Sequence, residues 1–187
     1  RFDFGLTPNG YGWVFPKRDH LSIGCLSRLR GWGALREDLD TYLNHLQLTE
    51  HGSREDHGFV IPIAPRSSEL ARGRVLLIGD AAGLADPVSC EGISWAILSG
   101  HLAADALIEG RDDGGAAAAA YRRRLQEELL PELKTARPLA RWLYVRPRFR
   151  RMAFRRIGQP VCNVVGQVFL GRTTYRGLLR TPGNYVR

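Results

Sequence analysis

Asp80 and Glu91 bracket the stretch of this 187-residue chain best suited to hold a polar ligand. Gly79-Asp80 follows directly on an unbroken apolar run, Val75 to Ile78, and Glu91-Gly92-Ile93 opens a long apolar segment. Between them lie mostly small residues, with Pro87 fixing one turn and Cys90 just before Glu91. A carboxylate at Asp80 accepts hydrogen bonds from hydroxyl groups, and its competing role is a turn or helix cap. Glycine at 92 lets a ligand approach the backbone without a Cβ in the way. The start of a helix adds unpaired N–H groups and the positive end of the dipole. Such a set binds and stabilises negative charge, and it identifies no catalytic residue. Glu91 reads either as a proton donor or as a first-turn acid favouring the dipole. Cys90 reads as a thiol activated by a helix N-terminus or as a tolerated loop side chain.

Other candidates carry less chemistry. In Tyr11-Gly12-Trp13-Val14-Phe15-Pro16-Lys17 the three aromatics alternate onto one face of a strand, the pattern of a covered core. His101 falls inside an apolar helix and reads as a core group, while His20, His45, His51 and His57 have no metal-ligand spacing. Cys25, Cys90 and Cys162 are scattered without CxxC spacing, which points to a reducing cytosol and to neither a disulfide framework nor a zinc site. Gly31-Trp32-Gly33-Ala34-Leu35-Arg36 starts like a GxGxxG turn. Arg36 stands at the third glycine, and no buried strand precedes it, so it reads as a loop entering a helix.

The elements that position these residues follow from periodicity and punctuation. Residues 1–27 read as paired strands, with turn signals at Thr7-Pro8-Asn9-Gly10 and Lys17-Arg18-Asp19-His20. An amphipathic helix is expected from Gly33 to Leu48 and a short strand at Gly58–Ile63. After a polar loop, 66–72, Val75–Ile78 reads as a strand buried on both faces of a sheet. The helix 92–109 is apolar on nearly all sides and is expected to be buried, with Gly110 at its C-terminal boundary. A second helix runs from Ala116 to Leu130, and Pro131, Pro138, Pro147 and Pro160 are expected to cut the rest of the chain into short helical pieces.

With 44% apolar residues the chain can bury a substantial core. It has no run of eighteen apolar residues and no signal-peptide pattern, so a cytoplasmic protein is expected. Its net charge of +8 is uneven: twelve arginines and no acid lie between Arg137 and Arg187, leaving a net −4 before them. This basic region reads as a solvated helical surface or as one that meets anionic lipid headgroups. No nucleic-acid-reading motif accompanies it.

The stretch from Gly73 to Ile93 resembles the second FAD-binding motif of aromatic-hydroxylase-type flavoproteins, and most of all the geranylgeranyl reductase family, with its GDAAG…P…EGI pattern. The resemblance implies that Asp80 meets a ribityl hydroxyl of FAD. It also implies that Pro87 to Gly92 and Ile93 lie against the flavin ring, with Gly79, Ala81 and Glu91 beside them. Tyr11, Trp13, Phe15 and Lys17 are similar to the family's YxWxFPK motif, which implies a wall for a lipophilic substrate, an alternative to plain core packing. Ser22 and Cys90 depart from the family pattern.

The implied fold is α+β or α/β, the C-terminal part of a two-domain, Rossmann-like FAD-binding flavoprotein. Residues 1–65 would end a substrate-binding domain, and 66–115 would hold one central parallel strand and helix of the FAD domain. An Arg-rich helical region would occupy 116–187. The implied activity is FAD-dependent reduction of isoprenoid double bonds, with NAD(P)H as electron donor. An FAD monooxygenase or flavin-dependent halogenase is the alternative within the superfamily, and a basic membrane- or partner-binding module the alternative outside it. The family's N-terminal GxGxxG is not in this sequence, so a fragment that binds FAD weakly by itself is expected.

Overall fold

Alternation of Tyr11, Trp13 and Phe15 with Gly10, Gly12 and Val14 builds the central strand of a three-stranded antiparallel sheet. Its order is β1 (Phe2–Phe4), β2 (Gly10–Pro16) and β3 (Leu21–Ser27). The computed structural model describes residues 1–29, 31–50, 52–66, 69–170 and 172–180, which form two compact units, 1–59 and 60–187.

In the first unit both expected turns close the sheet, through Gly10 N–H to Thr7 O at 3.3 Å and Lys17 N–H to His20 O at 2.9 Å. Helix α1 (Trp32–His45) covers the Gly12 face. Tyr42 of α1 lies so close to Gly12 that a Cβ there would sit 2.6 Å from its ring. The Tyr42 hydroxyl donates to Asp3 Oδ2 at 2.6 Å. Burial, then this bond, pushes the Tyr42 hydroxyl pKa up. Burial works against ionisation of Asp3, yet hydrogen bonds from Tyr42 and Arg1 hold it below the ordinary carboxylate value. On the same face the buried Cys25 thiol, pushed up to about 11 mainly by desolvation, reaches Leu35 O at 3.5 Å. The strand expected at Gly58–Ile63 does not form. Pro62 lacks a ladder donor, and Phe59 and Val60, 87% and 93% exposed, have no strand to pair with among the described residues.

In the second unit, β4 (Ala71–Arg72) and β5 (Val75–Leu76) form an antiparallel hairpin. This corrects the expected parallel strand buried on both faces: Val75 is 65% and Ile78 43% exposed. Among the described residues only Ala71–Arg72 supplies a strand partner. A 3₁₀ turn, Gly79–Ala82, follows, and helix α2 (Ile93–Gly110) begins after the loop.

Helix α3 (Gly114–Arg124) starts on an Asp113 cap, whose Oδ1 accepts from Gly115 N–H at 2.8 Å and Ala116 N–H at 3.1 Å. Small residues bring α2 and α3 together: a Cβ on Gly110 would stand 2.5 Å from Ala117 N. Leu102, Ala103 and Ala106 join Ala118, Ala120, Tyr121, Leu125 and Leu129 in one core. α3, the π-helical turn Leu125–Leu129 and the Gly79–Ala82 turn cover part of its surface, so α2 is not buried all round as expected. Ile93, Ile97, Leu107 and Ile108 remain exposed, and His101, read as a core group, is exposed as well.

Pro131 does not end the helical path. A π-helical turn, Leu125–Leu129, precedes α4 (Leu130–Val145), placing Pro131 in its first turn, where no N–H partner is needed. Pro138 lies within α4, and Pro160 within α5 (Pro147–Phe169), which departs from helical geometry at Ile157. Pro131 and Pro138 are thus accommodated within the helical path, whereas Pro147 opens a new helix as expected and α5 is two helical stretches joined at a kink three residues before Pro160. Arg150, buried at the start of α5, donates to Leu143 O at 2.9 Å and ties α5 to the end of α4. Helix α6 (Tyr175–Arg180) completes the described chain.

Candidate functional site

The loop between β5 and α2 is held from below. Gly79 adopts φ +49°, its N–H donates to Ser99 Oγ of α2 at 3.0 Å, and a Cβ there would stand 2.9 Å from Ala96 Cβ. At Gly83 (φ +72°) a Cβ would lie 2.2 Å from Ala64 O, so the loop presses against the 60–66 segment. The Arg66 guanidinium adds a hydrogen bond to Ala81 O.

The second half of the loop is organised by a residue that sequence reasoning passed over. Asp86 is 3% exposed, and its Oδ1 accepts from Val88 N–H at 2.7 Å, Ser89 N–H at 2.8 Å and the Tyr175 hydroxyl at 3.0 Å. Burial, then the neighbouring Asp86 charge, pushes the Tyr175 hydroxyl pKa up, so Tyr175 remains a donor. The Tyr144 hydroxyl donates to Val88 O. Two C-terminal helices thus grip this loop. The local signal for Asp86 is an aspartate just before Pro87, the start of an Asx turn. Tyr144 and Tyr175 carry none, because their partners are 56 and 89 residues away in sequence.

The residues singled out for the site fare differently. Asp80 is exposed, and its carboxylate makes no hydrogen bond or ion pair among the described residues. It faces Gly92, where a Cβ would lie 2.9 Å from Asp80 Oδ1, so the close approach read from the sequence is needed even without a ligand. Ala81 and Ile93 are exposed and Pro87 is buried. Glu91 turns back on its own helix: Oε1 accepts from Ser94 N–H at 2.8 Å. Its carboxylate thus serves one of the N–H groups in the first turn of α2. The Ile93 and Trp95 N–H groups have no partner among the described residues. Cys90 is 8% exposed with φ +58°, a left-handed backbone and a covered thiol in place of an open one.

In the first unit Tyr11, Trp13 and Phe15 do share a face. Tyr11 and Trp13 meet edge-on at 6.1 Å, Trp13 and Phe15 stack at 6.2 Å, and Phe2 packs on Tyr11 and Phe15 at 5.4 Å. Gly24 leaves room for the Trp13 indole, since a Cβ there would come within 2.2 Å of it. Helix α1 lies on the opposite face. Tyr11 is 6% exposed and belongs to the packing, Trp13 and Phe15 are half-buried, and Lys17 is exposed.

An exposed carboxylate, an adjoining glycine backbone and a helix start with open N–H groups fit a ligand that carries hydroxyl donors beside a group bearing negative charge. No family model matches the chain. Individual relatives do. It is 32% identical over 143 residues to an uncharacterised protein of Methanosarcina barkeri, covering 76% of this chain and 37% of that one. It is 34% identical over 119 residues to the chloroplastic geranylgeranyl diphosphate reductase of Arabidopsis thaliana, covering 58% and 23%. Its structure is similar to that of a geranylgeranyl bacteriochlorophyll reductase-like protein of Thermoplasma acidophilum. The TM-score is 0.62 at 26% identity, covering 74% of this chain and 37% of that one. The chain therefore spans about a quarter to two fifths of these relatives' length.

Proposed function

We propose, from its membership of the geranylgeranyl reductase family, that this chain provides the flavin-ring side of an FAD-dependent reductase acting on isoprenoid double bonds. The observation that carries the reading is the Asp80–Gly92 pair: an unpartnered, exposed carboxylate against a glycine at the start of α2. In this reading Asp80 accepts hydrogen bonds from ribityl hydroxyls, and Gly79, Ala81, Pro87, Gly92 and Ile93 shape the surface around it. FAD, when bound, supplies the two-electron reducing power, with NAD(P)H proposed as the donor that replenishes it.

The protein's own contribution is position and charge. The open N–H groups of Ile93 and Trp95 and the dipole of α2 favour negative charge at that end by about 0.3–1 kcal/mol. Glu91 is occupied with Ser94 N–H, and its part in the site is to fix where α2 begins. Trp13 and Phe15 are proposed as the lipophilic substrate's contact surface, supported by their shared, half-buried face away from α1, with Tyr11 packed beside them and Lys17 exposed just past the strand. Contact with a membrane surface, where such a substrate resides, is proposed for the Arg-rich C-terminal region.

Titration of the chain with FAD, followed by flavin fluorescence, tests the central pair. Loss of a hydrogen bond to a charged group costs about 1.5–3 kcal/mol, so Asp80→Ala should weaken binding roughly ten- to a hundredfold. Equal affinity in wild type and Asp80→Ala refutes the assignment.

A further inference from the structure

Helix α5 presents Arg148, Arg151, Met152, Arg155 and Arg156 along one open groove of about 450 Å³. At 3.6 residues per turn these positions fall on one side of the helix, with Phe149 at its margin. All four arginines are exposed, and none has an ion-pair partner among the described residues. No acidic residue follows Glu132 in the sequence, and Glu132 is itself buried beside Arg176. On the opposite side Arg150 is buried and fastened to α4, which fixes the rotation of the first turns of α5 and directs the cationic side outward. Met152 and Phe149, 48% and 50% exposed, sit among these charges.

We propose that this face of α5 is a docking surface for anionic lipid headgroups. Arg148, Arg151, Arg155 and Arg156 would meet the phosphates, and Met152 would enter the interface, with Phe149 at its margin held on Trp142. Charge complementarity names the anion, and the interleaved apolar side chains name the lipid. A phosphate backbone alone gives Met152 nothing, and Phe149 is already packed edge-on against Trp142 at 5.5 Å, so it is not free to stack on a base. A surface helix with arginines flanking apolar side chains gains from both headgroup charge and acyl boundary. No helix among the described residues is long and apolar enough to cross a membrane, so this contact lies on the surface. The proposal deepens the membrane contact proposed above by assigning it to one face of α5, and its test reads lipid binding alone, so its failure is distinguishable from failure of the flavin reading.

The test is co-sedimentation of the chain with vesicles of pure phosphatidylcholine or of phosphatidylcholine with about a third phosphatidylglycerol, at low and high salt. Binding is expected with the anionic vesicles at low salt, falling as salt rises. Each arginine removed should lower partitioning about fivefold, so R148Q/R151Q/R155Q/R156Q should lower it several-hundredfold. The corresponding Arg→Lys variant should retain binding, and Met152→Ser should reduce it. R18Q/R28Q/R72Q/R111Q removes the same charge elsewhere and should have a far smaller effect. Circular dichroism of each variant, unchanged from wild type, excludes misfolding. Equal binding to neutral vesicles, equal loss in the two quadruple Gln variants, or displacement from anionic vesicles by equimolar duplex DNA or RNA overturns the proposal.

Discussion

Asp86, at the scale of single residues, decides the shape of the candidate site while never facing a ligand. A buried carboxylate accepting two backbone N–H groups and a tyrosine hydroxyl is stable only while those donors stay in place. Tyr175→Phe removes one charge-assisted bond and should lower unfolding stability by about 1.5–3 kcal/mol in urea titrations. Asp86→Ala orphans all three donors and should cost more. Indistinguishable midpoints for wild type and Tyr175→Phe would contradict the account. Legibility at this scale depended on sequence distance. Asp80 and Gly92 could be read because one local motif, Gly73 to Ile93, carries both; Tyr144 and Tyr175 could not, because their partners lie far along the chain. Glu91 reads equally as a proton donor or as a first-turn acid because the two look the same in sequence; the 2.8 Å bond from Ser94 N–H is a contact that neither reading specifies.

At the scale of elements, the hairpin turns and helices α1 to α3 followed from local signals, whereas burial did not. Helix α2 reads as apolar all round, but its small residues meet α3 and the Gly79–Ala82 turn, and Ile93, Ile97 and Ile108 stay open. Prolines misled for a related reason: the π-helical turn before Pro131 relieves the missing donor, which no pattern of side chains announces. Tyrosines fasten the elements to one another. Tyr121 of α3 donates to Leu77 O beside β5 at 2.7 Å, and burial pushes its pKa up to about 12. Tyr42 and Tyr175 are raised in the same direction. A group that holds its proton more tightly when folded adds stability below its unfolded pKa and loses it as pH climbs to the folded value. Cys25 begins this loss near its ordinary value of 9.0, and Tyr121 carries it from 10.0 to about 12. The chain should therefore weaken steadily above about pH 9, and tyrosine ionisation followed at 295 nm should coincide with unfolding. Stability that stays flat from pH 9 to pH 11 would contradict this.

At the scale of the whole molecule, two units carry distinct jobs in the proposed reading. Residues 1–59 hold an aromatic face away from α1, and residues 60–187 hold a loop fixed by tyrosines from α4 and α6. The resemblance to geranylgeranyl reductases could be read from the sequence because its motif is local. The antiparallel pairing of β5 could not, since strand direction depends on which partner is at hand. The central claim, that Gly79 to Ile93 receives the flavin ring and its ribityl chain, is open to one direct measurement. Riboflavin carries both but no phosphate, so the arginine face of α5 offers it no charge to bind. Amide ¹H–¹⁵N spectra of the chain titrated with riboflavin should shift at Gly79–Ala82 and Glu91–Trp95, and Asp80→Asn should suppress the shifts. Shifts confined to other residues, or none as riboflavin approaches saturation, would contradict the claim.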